Sequence, residues 1–290
     1  MLKKSKGLKS RYIDQSKFNI SLFTAELGEK AKIIIPKMFK GILKAKNIYK
    51  KEMKELSDEL KLVSEGFWEE IFDKAKSLGI DLIGFAPIDE NLIFEEDYTG
   101  SIDVLYENGI ILGMEMDYEA IDSAPEPPAG LESLNIYAEL GIATNLLAKF
   151  IQSKGVRAIA CHPLGGPILY PAMAVKAGLG KIGLQGLLIT KEFGPRQRLS
   201  LISVNASPLP EKKEVKLDVE GFCAKCKRCI RQCPVNAIYD EPIIKENGIV
   251  SRIDGDKCIE YFYETTGCSV CIKECPFHKM GYKAAYYSRL

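Results

Sequence analysis

Eight of the nine cysteines of this 290-residue chain lie between Cys223 and Cys275. They form two motifs: Cys-x2-Cys-x2-Cys-x3-Cys-Pro starts at Cys223, and Cys-x9-Cys-x2-Cys-x3-Cys-Pro starts at Cys258. Three thiolates with two residues between neighbours suit one face of an iron–sulfur cubane, whose fourth ligand comes from elsewhere. The spacing therefore predicts two [4Fe–4S] clusters and one-electron chemistry.

In proteins with two such motifs, the last cysteine of each motif ligates the other cluster. This rule predicts that cluster one takes Cys223, Cys226, Cys229 and Cys275, and that cluster two takes Cys233, Cys258, Cys268 and Cys271. The second motif departs from the short pattern, because nine residues instead of two follow Cys258. A pair of four-thiolate zinc sites is the alternative, but zinc ribbons use two separated Cys-x2-Cys hooks without a third cysteine.

Composition places these motifs in an ordinary globular protein, with 46% apolar and 27% charged residues. The longest apolar runs are far shorter than the roughly 20 residues of a membrane span. The basic start of the chain has no apolar signal region and no twin arginine, so we expect no export signal and a cytoplasmic location. Reduced cytosolic thiols favour metal ligation over disulfides.

Charge and pattern divide the chain into three predicted regions: a basic helical extension (1–62), an α/β core (63–210) and a cysteine-rich domain (211–290). Residues 63–140 carry 19 acidic against two basic side chains, whereas the flanking regions are basic. The apolar residues from Ile33 to Ile42 recur at helical spacing. A basic amphipathic helix could contact an anionic membrane, but we favour a helix packed on the core with solvated lysines.

The middle region alternates predicted helices and strands, which indicates an α/β or α+β layer fold. Helices are expected in the segments from Ser64 to Gly79 and from Ser133 to Gly155, and a shorter one from Tyr170 to Gly180. The segments "IDLIGFAPI", "NGIILGMEMD", "VRAIAC", "LQGLLIT" and "RLSLISVN" read as strands. The segment "AGLGKIG" lacks the Gly-Lys-Ser/Thr ending of a phosphate loop.

Three segments in this order resemble corrinoid-dependent reductive dehalogenases: "EMDYEAIDSAP", "AGLGKIGLQGLLITKEFGPRQR" and the cysteine motifs. The related epoxyqueuosine reductases share the cysteine tail and a version of "AGLGKIG" but lack "FGPRQR". The resemblance implies an α+β fold: a nitroreductase-like core that holds cobalamin, followed by a ferredoxin-like two-cluster module. It also implies close backbone approach to the corrin ring at Gly178, Gly180 and Gly183.

The same resemblance implies that a tyrosine supported by a cation protonates the substrate. By position, Tyr137 on the long predicted helix is the candidate, with Arg196 and Arg198 as candidate supports. Each could instead be structural: Tyr137 as a buried aromatic and the arginines as ion-pair partners. His162 is a further candidate acid, because this neighbourhood carries an aspartate in epoxyqueuosine reductases and none here; a lone histidine is more often structural.

The resulting hypothesis is a cytoplasmic iron–sulfur oxidoreductase that passes electrons through two clusters to cobalamin, which reduces a small molecule. A ferredoxin or flavodoxin would supply the electrons, and no nucleic acid is expected because no basic stripe interleaved with aromatic residues is evident. The alternatives are an electron-transfer protein without corrinoid and an epoxyqueuosine reductase-like enzyme that modifies tRNA.

Overall fold

The computed structural model describes residues 2–3, 27–55, 59–94, 104–212, 215–244 and 250–287. The helices are α1 (Glu29–Lys54), α2 (Glu65–Ser77), α3 (Tyr118–Asp122), α4 (Pro127–Ser153), α5 (Tyr170–Lys176), α6 (Val219–Cys226), α7 (Arg228–Arg231), α8 (Gly255–Glu264), α9 (Val270–Lys273) and α10 (Pro276–Tyr287). A 3-10 turn spans Glu90–Leu92.

The strands are β1 (Leu2–Lys3), β2 (Lys61–Leu62), β3 (Leu82–Pro87), β4 (Val104–Leu105), β5 (Asn108–Glu115), β6 (Ala158–Cys161), β7 (Lys181–Ile182), β8 (Leu188–Ile189), β9 (Gln197–Val204), β10 (Ala206–Ser207), β11 (Ile238–Ile244) and β12 (Val250–Ile253). Four of them form the central sheet in the order β3-β5-β9-β6, and every neighbouring pair is antiparallel. The remaining strands pair in twos as β1-β4, β2-β10, β7-β8 and β11-β12.

The central strands are buried almost throughout, which explains their near-continuous apolar sequences. Ile110 and Ile202 lie opposite each other in the register of β5 and β9, and both are fully buried. The predicted strand "LQGLLIT" is shorter than expected, because only Leu188–Ile189 pairs with β7. The prediction of a mixed helix and strand fold is confirmed.

Two long helices pack together on the sheet. Helix α4 begins at Pro127, six residues before the predicted start at Ser133, and it is followed by Gly155 at φ +77, the predicted stop. Helix α1 packs against α4 and β6 through a buried face that includes Ile35, Met38 and Ile42. The helix predicted near the N-terminus therefore lies on the core with its lysines outward, although Ile33 is also exposed.

The second predicted helix starts at Glu65, directly after Ser64, but the Ser64 side chain makes no capping hydrogen bond. Its buried residues Trp68, Ile71 and Ala75 follow the 3.6-residue period and join the main core. Within the described ranges, no helix combines the length and apolar character needed to cross a bilayer.

Candidate metal centres and active site

The two cysteine motifs adopt matching backbone turns. The residue after the second cysteine of each run, Lys227 or Ser269, has positive φ near +50° and starts a one-turn helix that carries the next cysteine. Positive φ is uncommon for residues other than glycine and costs on the order of 1 kcal/mol or more. The repeated strain turns Cys226 and Cys229, and likewise Cys268 and Cys271, toward a common side.

The first set of thiols, called group one, contains cysteines from both motifs. Burial and negative charge on Cys226 raise the pKa of Cys223, and burial with charge on Cys223 and Cys226 raises that of Cys229, so the three thiols lie close together. Cys275, from the second motif, is affected in the same way by Cys223 and Cys229. All four line one small cavity together with Leu184, Gln185, Phe222 and Phe277.

The second set, called group two, is crossed as well. Cys258 lies near Cys268 and Cys233. Burial raises the pKa of Cys271, and negative charges on these three cysteines raise it further. Helix α8 carries Cys258, and most of the nine residues between Cys258 and Cys268 belong to this helix. The structure therefore brings the eight cysteines together in the two sets that the crossed rule predicts; their role as ligands stays a prediction.

The chemistry of these thiols fits metal clusters. Burial raises the pKa of the Cys229 thiol to about 11 and that of Cys275 to about 12, and it raises the pKa of Cys271 further still. Without a cation these thiols stay protonated at neutral pH, whereas metal binding deprotonates them. Among the described residues, no three Cys, His, Asp or Glu side chains converge on one ion. A [4Fe–4S] cluster does not need such convergence, since each thiolate binds a different iron.

Group two is docked directly on the core. A Cβ atom at Gly130, in the first turn of α4, would lie 2.0 Å from the carbonyl oxygen of Thr266. Ile272, beside Cys271, is buried in the main core cluster, and Lys273 Nζ donates to the Ala124 carbonyl at 2.7 Å. The cysteine-rich region therefore packs directly against helix α4 and the segment that precedes it.

Tyr137 and Arg198 are brought together. The Arg198 guanidinium lies 4.8 Å from the centroid of the Tyr137 ring, and its Nη2 donates to Ser133 Oγ at 2.8 Å. Arg198 Nε is buried and has no hydrogen-bond partner among the described residues. The geometry matches the predicted tyrosine with a supporting cation, while the catalytic role stays a prediction.

Arg196 belongs to a different cluster, which the sequence alone did not indicate. It pairs with Glu115, donates to the Met116 carbonyl and lies 5.5 Å from the Tyr118 ring centroid. Tyr118 stacks on His278 at 4.6 Å between ring centroids. His278 is three residues after Cys275, so this cluster joins Arg196 to the edge of group one. The signal was available in "EMDYEAID", which supplies Glu115 and Tyr118.

His162 lies where the two long helices cross, apart from both cysteine groups. Its Nε2 would be 2.1 Å from a Cβ at Gly141 and 3.1 Å from one at Gly41. Its Nδ1 accepts a hydrogen bond from the Leu164 N–H at 3.1 Å, and burial lowers its pKa to about 4. A neutral histidine packed between two glycines favours the structural interpretation, and the acid role stays a prediction.

The three predicted cofactor glycines have different surroundings. Gly178 lines a cleft of about 700 Å³ between β3 and the C-terminal helix α10. A Cβ at Gly180 would lie 2.2 Å from the Ile189 carbonyl oxygen, and one at Gly183 would lie 2.4 Å from Gln185 Oε1. Packing within the chain thus accounts for Gly180 and Gly183, and only Gly178 of the three borders open space. Tyr137 and Arg198 do not line this cleft.

No family model matches the chain. It is 31% identical over 248 residues to tetrachloroethene reductive dehalogenase of Sulfurospirillum multivorans, covering 71% of this chain and 49% of that protein. It is also 31% identical over 226 residues to epoxyqueuosine reductase of Aliivibrio fischeri, covering 64% and 55% respectively. The chain thus spans about half the length of these curated relatives.

Solved structures agree on the fold. A reductive dehalogenase whose structure suggests a mechanism for B12-dependent dehalogenation aligns with a TM-score of 0.74 at 17% identity, covering 98% of this chain and 43% of that one. An epoxyqueuosine reductase bound to a tRNA stem loop aligns with a TM-score of 0.52 at 18% identity, covering 75% and 66%. The chain is therefore a homologue of the reductive dehalogenases and of the epoxyqueuosine reductases.

Proposed function

We propose that this chain is an iron–sulfur oxidoreductase in which groups one and two hold two [4Fe–4S] clusters. The observation that carries the proposal is the crossed grouping: four thiols from both motifs surround one cavity, and four others lie beside them. Because charge on Cys229 of group one also acts on Cys271 of group two, the two clusters would be close neighbours. The clusters supply one-electron transfer, while the surrounding chain excludes water and keeps both centres beside the core.

We further propose that the electrons reach a corrinoid, which reduces a small molecule as in the reductive dehalogenases. The B12-dependent neighbour and the dehalogenase relatives support this part. Gly178 and the cleft beside it offer space for a bulky ligand, whereas Gly180 and Gly183 are occupied by packing. Two of the three glycines that were expected to border the corrin ring therefore do not fit that role.

The residues placed for proton transfer are Tyr137 and Arg198. In this proposal the Tyr137 hydroxyl donates a proton to the reduced substrate, and Arg198, over the ring face, stabilises the phenolate left behind. Arg196 is held by Glu115 and Tyr118 and would instead position α3 beside group one. The same proposal includes a nitroreductase-like core and a ferredoxin-like module, with domain boundaries near residues 62 and 210. It also includes a cytoplasmic location and a ferredoxin or flavodoxin as electron donor.

Metal analysis of anaerobically purified protein tests the proposal. We expect about eight irons per chain, since each cluster holds four. After addition of cobalamin and desalting, about one cobalt per chain should remain if the corrinoid part holds. Iron without cobalt would support the electron-transfer alternative, and absence of iron would overturn the proposal as a whole. Cys161→Ser, which removes the buried ninth cysteine, should leave both metals unchanged.

A tRNA substrate is the second candidate, because the family includes epoxyqueuosine reductases and one is known with a tRNA stem loop. The outer face of α1 adds a positive surface, with Lys40, Lys44 and Lys51 exposed. Restoration of queuosine in a strain that lacks its own epoxyqueuosine reductase would establish this function. Failure to do so, with cobalt retained, would favour a small-molecule substrate.

A further inference from the structure

A buried glutamine from the core faces group one. Gln185 lies in the turn between β7 and β8 and is only 4% exposed. It lines the same small cavity as Cys223, Cys226, Cys229 and Cys275. Among the residues that the structure describes, its Nε2 has no hydrogen-bond partner. Burial of an amide nitrogen without a hydrogen-bond partner destabilises the fold, so this position calls for an acceptor.

The Cys229 sulfur lies next to this amide. Gln185 Oε1 lies 4.0 Å from Cys229 Sγ, the distance of a weak contact in which the thiol is the donor. Once Cys229 binds iron it has no proton to donate, so the amide oxygen and the thiolate would face each other as two acceptors. A half-turn of the amide exchanges its oxygen and nitrogen and places N–H groups toward the sulfur. That one rotation gives the buried nitrogen an acceptor and removes the contact between two acceptors.

The neighbouring residue points to the same cluster. Leu184, the residue before Gln185, lines the same cavity as Cys223 and Cys229. Two consecutive core residues therefore border the sulfurs of group one, although neither belongs to a cysteine motif. Hydrogen bonds to cluster sulfurs are one of the means by which proteins set reduction potentials.

We propose that the Gln185 side chain donates a hydrogen bond to the Cys229 sulfur and raises the reduction potential of cluster one. The inference rests on the proposed function, because it requires the cluster to be present. Reduction adds one negative charge to the cluster, and an N–H donor stabilises the more negative state. Gln185 is thus a positioning and tuning residue rather than a ligand.

The test is an electron paramagnetic resonance redox titration of full-length, anaerobically reconstituted protein. Gln185→Leu removes the donor, and Gln185→Glu keeps the shape but removes both N–H groups. In each variant we expect about eight irons and a more negative midpoint potential for one cluster, with the other unchanged. The shift should be larger for Gln185→Glu, since a carboxylate adds negative charge. Gln152→Leu, at the far end of α4 where the amide binds Glu52, is the matched control and should move neither potential.

Equal midpoint potentials in wild type and in iron-replete Gln185 variants would overturn the inference. If wild type itself lacks iron, the proposed function fails instead, so the two failures are distinct. Should both variants lose iron, protein labelled with 15N at glutamine side chains decides the question. The label is introduced into Gln232→Ser, which removes the glutamine beside Cys233. A 15N coupling to a reduced cluster supports the hydrogen bond, and its absence overturns it.

Discussion

Groups one and two each contain four thiols in the same crossed arrangement, yet their surroundings differ. Burial raises the pKa of three thiols of group one, and nearby backbone N–H groups oppose that shift: Leu184 near Cys223, Ile230 near Cys229, and Phe277 and His278 near Cys275. In group two, the Val270 N–H opposes the effect of burial on Cys268, and the Ala237 N–H donates to Cys233 Sγ at 3.2 Å. Among the described residues, Cys258 receives no such donor.

The walls of the two groups also differ. Group one is closed by core residues and by the Phe222 and Phe277 rings, whose centroids are 4.5 Å apart. Group two depends on α8, a ten-residue helix with no buried residue, for Cys258. Donor-rich surroundings stabilise the reduced state, so we expect cluster one to have the higher potential. Identical ligands therefore do not imply identical redox behaviour.

Removal of ligands should have the largest effect and tests whether the groups are crossed. Cys223→Ser and Cys275→Ser each remove a group-one ligand, so each is expected to lower the iron content from about eight to about four per chain. The double variant should lose no further iron, because both residues serve one cluster. Combining Cys223→Ser with Cys271→Ser should remove nearly all iron.

Iron analysis with electron paramagnetic resonance spectra checks this pattern. Uncrossed ligation would give the reverse, with additive loss in the Cys223 and Cys275 double variant.

Acid should lower the stability of the fold through the two histidines of the chain. His278 lies beside group one, and neither histidine lies beside group two. Burial lowers the pKa of His162 and of His278 from 6.5 to about 4. Between these values the unfolded chain binds protons that the native chain does not, so the free energy of unfolding falls as pH decreases from 6.5 toward 4. The upper limit for His162 is on the order of 3 kcal/mol.

Urea unfolding of the iron-loaded protein at about pH 7 and about pH 5 measures this loss. His162→Gln should reduce the pH dependence, and the part that remains is assigned to His278 beside group one. An unchanged dependence in this variant would contradict the assignment of His162.

Gly130→Ala tests the docking of group two on the core. Alanine is better than glycine in a helix by about 1 kcal/mol, so the exchange would stabilise an isolated helix. Here the added Cβ meets the Thr266 carbonyl, and we expect destabilisation of about 1–3 kcal/mol with preferential loss of cluster two.

The matched control is Gly66→Ala, where the Cβ meets only Ser64 Oγ at 3.9 Å. That variant should be at least as stable as wild type in thermal unfolding. Stabilisation by Gly130→Ala would show that Thr266 does not press on α4.

Arg198→Gln should have the smallest effect on stability. It tests whether the Tyr137 and Arg198 pair acts independently of both cysteine groups. The cation over the Tyr137 ring contributes about 0.5–1 kcal/mol at a half-exposed site, so the loss should be of that size. Iron content and both reduction potentials should stay unchanged, whereas substrate reduction should fall if Tyr137 is the proton donor. A shift in either potential would place Arg198 in the cluster environment.

Short-range signals in the sequence were enough to predict the local elements and the cysteine pattern. Helix α2, strand β5 and helix α4 follow from periodicity and stop residues, because those signals act within a few turns of chain. The cysteine spacing also predicted which thiols group together, since one-turn helices carry Cys229 and Cys271 at set distances from their neighbours. The tyrosine and arginine candidates came from the family resemblance.

Tertiary structure alone decided which distant residues meet. Arg196 meets Tyr118, whereas Arg198, two residues later, meets Tyr137. His162 lies where α1 and α4 cross, and Gly130 contacts Thr266. Each of these contacts joins residues that are far apart in the chain. Gln185 gave no sequence signal, because an amide in a glycine-flanked turn is ordinary until the fold buries it against Cys229. Local signals specify elements, whereas these contacts depend on how the elements pack around one core.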